Sequence, residues 1–216
     1  MREALEKALQ LCVIPDREIG FPLSLEEQAE QALGGGATMI QLRDKKMSGR
    51  ELYETACRLV KMCREAGALL IVNDRADVAL ASGADGAHLG ITDLPLRSVR
   101  HLSPPGFILG GTAHSVKEAQ SAEADGADYV GVGAAFPSCA KKEARVLGPE
   151  GIREVVSAIT IPAIAIGGIS AENIGAVLTA GAKGAAVIGS VVGSKDISTA
   201  VRRMAKVISA CEKEGR

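Results

Sequence analysis

Five times along the chain a run with helical periodicity ends in Gly-Ala and restarts as an apolar run. The five are Gly36-Ala37-Thr38, Gly67-Ala68-Leu69, Gly83-Ala84-Asp85-Gly86, Gly126-Ala127-Asp128-Tyr129 and Gly181-Ala182-Lys183-Gly184. A glycine just past a helix end takes positive φ with no Cβ penalty, and the chain then turns tightly into a strand. Strands joined repeatedly through helices are parallel strands, so the repeat calls for a helix-covered parallel sheet.

Eight apolar runs fit as strands: Leu11–Ile14, Met39–Leu42, Leu69–Val72, Ala87–Leu89, Phe107–Gly110, Tyr129–Val132, Ala163–Ile166 and Ala185–Ile188. The clearest helices between them are Ser48–Ala66, Val116–Ala124, Gly151–Ala158, Ala171–Ala180 and Ile197–Ala210. Ser48 with Glu51, and Ser115 with Glu118, have the spacing of a capping box. Eight strand-then-helix units within 216 residues predict an α/β chain folded as a single (β/α)8 TIM barrel over residues 1–216. The competing architecture is an open doubly wound sheet. Against it, no G-x-G-x-x-G follows the first strand, and polar clusters follow most strands rather than marking one switch point.

A net charge of −1 argues against a polyanion held by bulk charge, and 2% aromatics leave few faces for stacking bases, so no nucleic-acid partner is expected. Hydrophobic residues make up 47% of the chain, yet no run approaches the ~20 residues of a membrane span, so no membrane partner is expected either. The first eleven residues carry Arg2, Glu3, Glu6 and Lys7 and lack a signal-peptide core, which points to the cytoplasm. Five cysteines with no CxxC fit reduced thiols and give no zinc signature. A homo-oligomer is compatible with all of this, and nothing in the sequence selects an oligomeric state.

In a barrel of this kind the active site is built on the rim where strands end. The residues collected there are Gln41, Arg43, Asp44, Lys45 and Lys46; Asn73, Asp74 and Arg75; Thr92 and Asp93; Gly110, Gly111, Thr112 and His114; Gly133, Ser138, Lys141, Lys142 and Arg145; Gly167-Gly168; and Gly189-Ser190. A nearly neutral chain thus gathers several cations on one rim, and with glycine-rich turns they call for a phosphorylated small molecule. Asp74 and Asp93 would repel such a ligand unless a cation lay between, and Mg²⁺ shared with phosphate oxygens resolves the conflict. Equally, one carboxylate pairs with Arg75 or Arg43 and orders a loop; charge alone leaves both open. His114, near a helix start, reads as a capping or packing residue rather than an acid or base. His88 reads as a packed core residue and His101 as surface, while Cys139 reads as incidental.

Together these motifs resemble the thiamine phosphate synthase family. Gln41-Leu42-Arg43-Asp44-Lys45 is similar to its Q-x-R-x-K, Val72-Asn73-Asp74-Arg75 to its N-D, and His88-Leu89-Gly90-Ile91-Thr92-Asp93 to its H-L-G-x-x-D. Gly110-Gly111-Thr112-Ala113-His114 resembles G-x-S-x-H, Gly126 to Gly131 resembles G-A-D-Y-x-G, and Ala165 to Ile169 resembles A-I-G-G-I. The resemblance implies a transferase that joins a pyrimidinylmethyl diphosphate to a thiazole phosphate and releases pyrophosphate. It implies that Gln41, Leu42, Arg43, Asp44, Lys45, Asn73, Thr112 and Lys141 hold the diphosphate substrate, with Arg43, Lys45, Asn73, Thr112 and Lys141 catalytic. It further implies Mg²⁺ on Asp74 and Asp93, and thiazole phosphate on Ser138, Cys139, Ala140, Gly168, Ile188 and Gly189. The chain departs from the family pattern at Ala140, at Ala134 in place of proline, and at Gly189 in place of serine. Two other functions use the same fold features: a thiazole tautomerase, which needs the phosphate cradle but not the cations, and a non-catalytic protein binding a thiamine precursor.

Overall fold

The computed structural model describes residues 2–137 and 145–214. Eight parallel strands close on themselves: β1 (Leu11–Val13), β2 (Met39–Leu42), β3 (Leu69–Asn73), β4 (Gly86–Leu89), β5 (Ile108–Ala113), β6 (Tyr129–Gly133), β7 (Ala163–Ile166) and β8 (Gly184–Val187), with β8 pairing β1. The helices among the described residues are α1 (Arg2–Ala8), α2 (Leu25–Gly35), α3 (Gly49–Ala66), α4 (Ala76–Ser82), α5 (Leu96–Leu102), α6 (Val116–Ala124), α7 (Gly148–Ser157), α8 (Ile174–Thr179), α9 (Gly189–Val192) and α10 (Ile197–Glu214). The chain is a (β/α)8 TIM barrel.

Helix α3 shows how the sequence writes these elements. Ser48 and Glu51 form the expected capping box, Leu52, Ala56, Leu59, Val60 and Cys63 bury one face at helical spacing, and Gly67 ends the helix at φ 69°. All five repeat glycines take positive φ: Gly36, Gly67, Gly83, Gly126 and Gly181. The third residue of three repeats then ties its strand to the start of the one before. Leu11 N–H donates to Thr38 Oγ1 at 2.9 Å, Leu70 N–H to Asp85 Oδ2 at 2.8 Å and Leu109 N–H to Asp128 Oδ2 at 2.8 Å. These side chains cap main-chain donors that the strand ends would otherwise leave unpaired.

Several expectations need correcting. Strand β5 runs on to Ala113, so Gly111 and Thr112 lie inside it rather than after it. Glycine is tolerated there for want of room. A Cβ on Gly110 would lie 2.3 Å from Tyr129 Cζ, and one on Gly111 would lie 2.9 Å from Leu96 Cδ1. Asn73 and Gly133 likewise belong to β3 and β6. The Ser115 box is half formed, because the Glu118 carboxylate accepts from His114 N–H instead of Ser115 N–H. A complete box that the expectations omit caps α2, on Ser24 and Glu27.

Strand residues alternate between two cores. Leu70, Val72, Val130, Val132 and their kind face the helices, whereas Cys12, Met39, Ile71, Tyr129, Ile164 and Ala186 fill the barrel itself. Leu5 and Leu9 pack against that inner cluster from below, so α1 and the turn after it stopper the N-terminal end. Burying each such side chain stabilises by about 1.5–3 kcal/mol. Among the described residues, the barrel interior is open to a ligand from its C-terminal mouth.

Candidate active site

The inward positions at the mouth are polar. Gln41, Asn73, His88 and Thr112 share the parity of the apolar residues beneath them, as the pairing of Gln41 with Ile71, Asn73 with His88 and His88 with Gly110 shows. Gln41 is buried to 4% exposure, Asn73 is half-buried, and among the described residues neither side chain makes a hydrogen bond. Arg43, next along the β2 rim, is half-buried and also has no ion-pair partner among the described residues. Polar groups placed at a mouth without partners are available to a ligand.

Asp74 follows β3 directly and is the non-glycine residue with positive φ among the described residues, 61°. Its N–H donates to His88 O at 2.8 Å, which pins this left-handed turn to β4. Asp93 lies in the turn after β4, where one carboxylate oxygen accepts Gly90 N–H at 2.6 Å. The two carboxyls come within hydrogen-bond range of each other. Burial, then that contact and the charge of Asp93, push Asp74 above the usual carboxylate range, while Lys45 and Arg43 pull it back. Lys45 Nζ lies 4.0 Å from Asp74 Oδ2. Arg75 does not neutralise either carboxylate, since it forks onto Asp77 at 2.8 and 2.7 Å.

Asp44 has a different place from its neighbours. Its side chain is 8% exposed, accepts N–H bonds from Lys46 and Met47, and meets Arg17 Nε at 3.1 Å. It braces the loop that carries Arg43 and Lys45. Arg17 is itself held because the buried Gln28 amide bonds the main chain of Asp16 and Leu23. Leu42 faces the helices, so only its backbone borders the mouth.

Across the mouth the wall is mostly backbone. Gly167 and Gly168 take φ 99° and 63°, and a Cβ on Gly168 would lie 2.5 Å from Pro137 O. Ser190 donates to Ile169 O at 2.6 Å, which ties the start of α9 to the β7 turn. Gly189 has open space where a Cβ would stand, with nothing within 4 Å, so no crowding demands glycine there. The Gly133–Ala134 peptide, beside this wall, is cis. His114 is exposed, and its Nδ1 meets Gly133 O at 2.6 Å, joining the ends of β5 and β6. Ser138, Cys139, Ala140, Lys141 and Lys142 lie outside the described residues.

His88 has two partners that its sequence position alone does not show. His88 is in the core as expected, but it is hydrogen-bonded through both ring nitrogens, to Tyr129 Oη at 3.1 Å and Thr112 Oγ1 at 3.0 Å. The signal was present in the sequence: a histidine at an inward position, opposite two in-strand glycines, Gly110 and Gly131.

A sequence model described as thiamine monophosphate synthase matches residues 11–191. A thiamine-phosphate synthase of Coprothermobacter proteolyticus is 47% identical, covering 96% of this chain and 98% of that protein. One from Methanoculleus marisnigri is 44% identical over 95% of this chain and 98% of that protein. Among solved structures, the thiamine phosphate pyrophosphorylase of Pyrococcus furiosus superposes with a TM-score of 0.89 at 42% identity, covering 96% of this chain and 98% of that one.

Proposed function

The chain belongs to the thiamine monophosphate synthase family, and on that premise we propose how its barrel mouth divides two substrates between its two walls. The enzyme is a transferase of thiamine biosynthesis. It joins 4-amino-2-methyl-5-(diphosphooxymethyl)pyrimidine to a 4-methyl-5-(2-phosphoethyl)thiazole, forming thiamine phosphate and pyrophosphate. The tautomerase and binding-only alternatives are not favoured by these relatives, which carry the synthase name.

In our reading the pyrimidine diphosphate lies along β2 to β5. Gln41, Arg43, Lys45, Asn73 and Thr112 donate to it, with Lys141 joining from the loop after β6; Leu42 contributes backbone, and Asp44 braces the loop that aims the cations. The methylene–oxygen bond breaks with its electron pair leaving on pyrophosphate, and the thiazole nitrogen supplies the pair for the new carbon–nitrogen bond. No protein nucleophile and no proton transfer are required. Fixed cations and donors lower the barrier by meeting charge that grows on the leaving group. The thiazole phosphate sits on the backbone of Gly168, Ile188 and Gly189, with Ser138, Cys139 and Ala140 beside it.

Asp74 and Asp93 suit Mg²⁺. Both are hard oxygen donors, they lie close enough to need a cation between them, and they stand beside the diphosphate cations. Among the described residues no cluster of three or more His, Cys, Asp or Glu occurs, but Mg²⁺ uses one or two carboxylates with phosphate oxygens and water. When bound, the ion offsets the charge of the diphosphate. Work in the cytoplasm accords with the free thiols of Cys12, Cys57, Cys63 and Cys211, and no helix among the described residues is long and apolar enough to cross a membrane.

The observation that carries this arrangement is the crowding of Asp74 and Asp93 beside the unpaired Arg43. It is tested by following pyrophosphate release from both precursors with and without Mg²⁺. Release that needs both precursors and the ion is expected. An absence of pyrophosphate at every thiazole concentration would overturn it.

A further inference from the structure

His88, Tyr129 and Thr112 form a hydrogen-bonded chain from the sealed centre of the barrel to its mouth. Their backbones stand on β4, β6 and β5, and all three side chains point inward. Space for the chain is built in. A Cβ on Gly110 would lie 2.4 Å from His88 Nδ1 and 2.5 Å from Tyr129 Oη, and one on Gly131 would lie 3.0 Å from His88 Cε1. Two glycines in consecutive strands of a β-sheet weaken it, so the space serves the polar trio.

The direction of each bond follows from counting protons. Both ring nitrogens of His88 face a hydroxyl oxygen, and a neutral imidazole has one N–H to give. Tyr129 is fully buried, and among the described residues its hydroxyl has His88 Nδ1 as its hydrogen-bond partner. A buried O–H is very rarely left unpaired, so it donates to Nδ1. The ring proton is then on Nε2, which donates to Thr112 Oγ1. Thr112 receives a bond from below and keeps its own proton for the mouth.

We propose that Tyr129 and His88 are positioning residues that fix the Thr112 hydroxyl as a dedicated donor, matched to a ligand group that can only accept, an anionic diphosphate oxygen. With the opposite tautomer Thr112 would spend its proton on His88 and turn a lone pair toward the diphosphate. The inference rests on the assignment of Thr112 to the diphosphate wall.

The test uses the full-length enzyme, with Mg²⁺ and inorganic pyrophosphate as the calorimetric probe. Thr112→Val should weaken pyrophosphate about tenfold. Tyr129→Phe, which keeps the ring in the core, should weaken it several-fold and lower kcat/KM for the diphosphate substrate with KM for the thiazole unchanged. The double variant should bind no more weakly than Thr112→Val alone, because both act through one hydroxyl. Additive losses, or no loss in Tyr129→Phe, would overturn the relay. Unchanged binding in Thr112→Val would instead sink the site assignment. Separately, with three histidines in the chain, the ¹⁵N shifts of the His88 imidazole read its tautomer directly: protonated Nε2 is expected, and protonated Nδ1 would refute the relay whatever Thr112 binds.

Discussion

The two ends of this barrel use the same residue in opposite ways. At the closed end Asp85 and Asp128 each sit in a Gly-Ala-Asp turn, and each carboxylate accepts the N–H of the second residue of the preceding strand. Asp128 also meets Arg100. At the open end Asp74 and Asp93 face each other, and Asp74 is held in a left-handed turn with its proton affinity raised. One pair is kept apart and satisfied by the fold, and the other is crowded together with Lys45 and Arg43 only partly offsetting it. Satisfied carboxylates mark where the sequence builds stability, and frustrated ones mark where it builds chemistry.

That contrast can be broken by mutation. The largest effect should come from Asp74→Asn and Asp93→Asn, each lowering kcat/KM at saturating Mg²⁺ by about 10²–10³, with the melting temperature retained, because asparagine tolerates the left-handed turn at 74 and keeps an acceptor for Gly90 N–H at 93. Full activity in either variant would make that carboxylate structural. At the other end, Asp85→Ala and Asp128→Ala should each cost about 1–3 kcal/mol by orphaning a strand N–H, read by urea denaturation, with kcat/KM unchanged in the folded fraction. A catalytic defect without destabilisation would erase the distinction.

Smaller effects sharpen it. Gly189→Ser has open space for its side chain and adds a hydroxyl on the wall proposed for the thiazole phosphate. The KM for thiazole phosphate should fall a few-fold, and a rise would mean that this backbone must approach its ligand bare. The smallest effect concerns pH. Asp74 binds its proton more tightly folded than unfolded, mainly through burial and then through Asp93. The metal-free protein should therefore lose stability as pH rises from the ordinary carboxylate range through the raised value of Asp74. Asp93→Asn removes the like charge and keeps an acceptor for Gly90 N–H, so this decline should flatten in part, because burial is untouched. A steeper decline in thermal melts would contradict it.

Most of the architecture was legible in the residues because turn chemistry and apolar periodicity are local. Gly67 after a periodic run and Ser48 before one need no tertiary context, and both behave as read. The rim followed from counting strand ends. The misses are non-local. The extent of β5 depends on its pairing with β6, Thr112 with Gly131 and Ala113 with Val132, and Glu118 chose His114 N–H over Ser115 N–H. Whether Arg75 would neutralise Asp74 was open from charge alone, since its actual partner, Asp77, is an equally near carboxylate. The His88 chain was hidden for the same reason, its three members lying 24 and 41 residues apart in sequence.

Gly110 and Gly131 look like openings for protein engineering. Replacing glycine by alanine in an extended segment is a routine way to raise thermal tolerance by stiffening the unfolded chain. Here a methyl group at Gly110 would expel the ring and the phenol, and one at Gly131 would press on the imidazole. A library screened only for heat resistance would treat these positions as repair sites; a library screened for turnover would find them closed, although neither glycine has a side chain with which to touch a substrate.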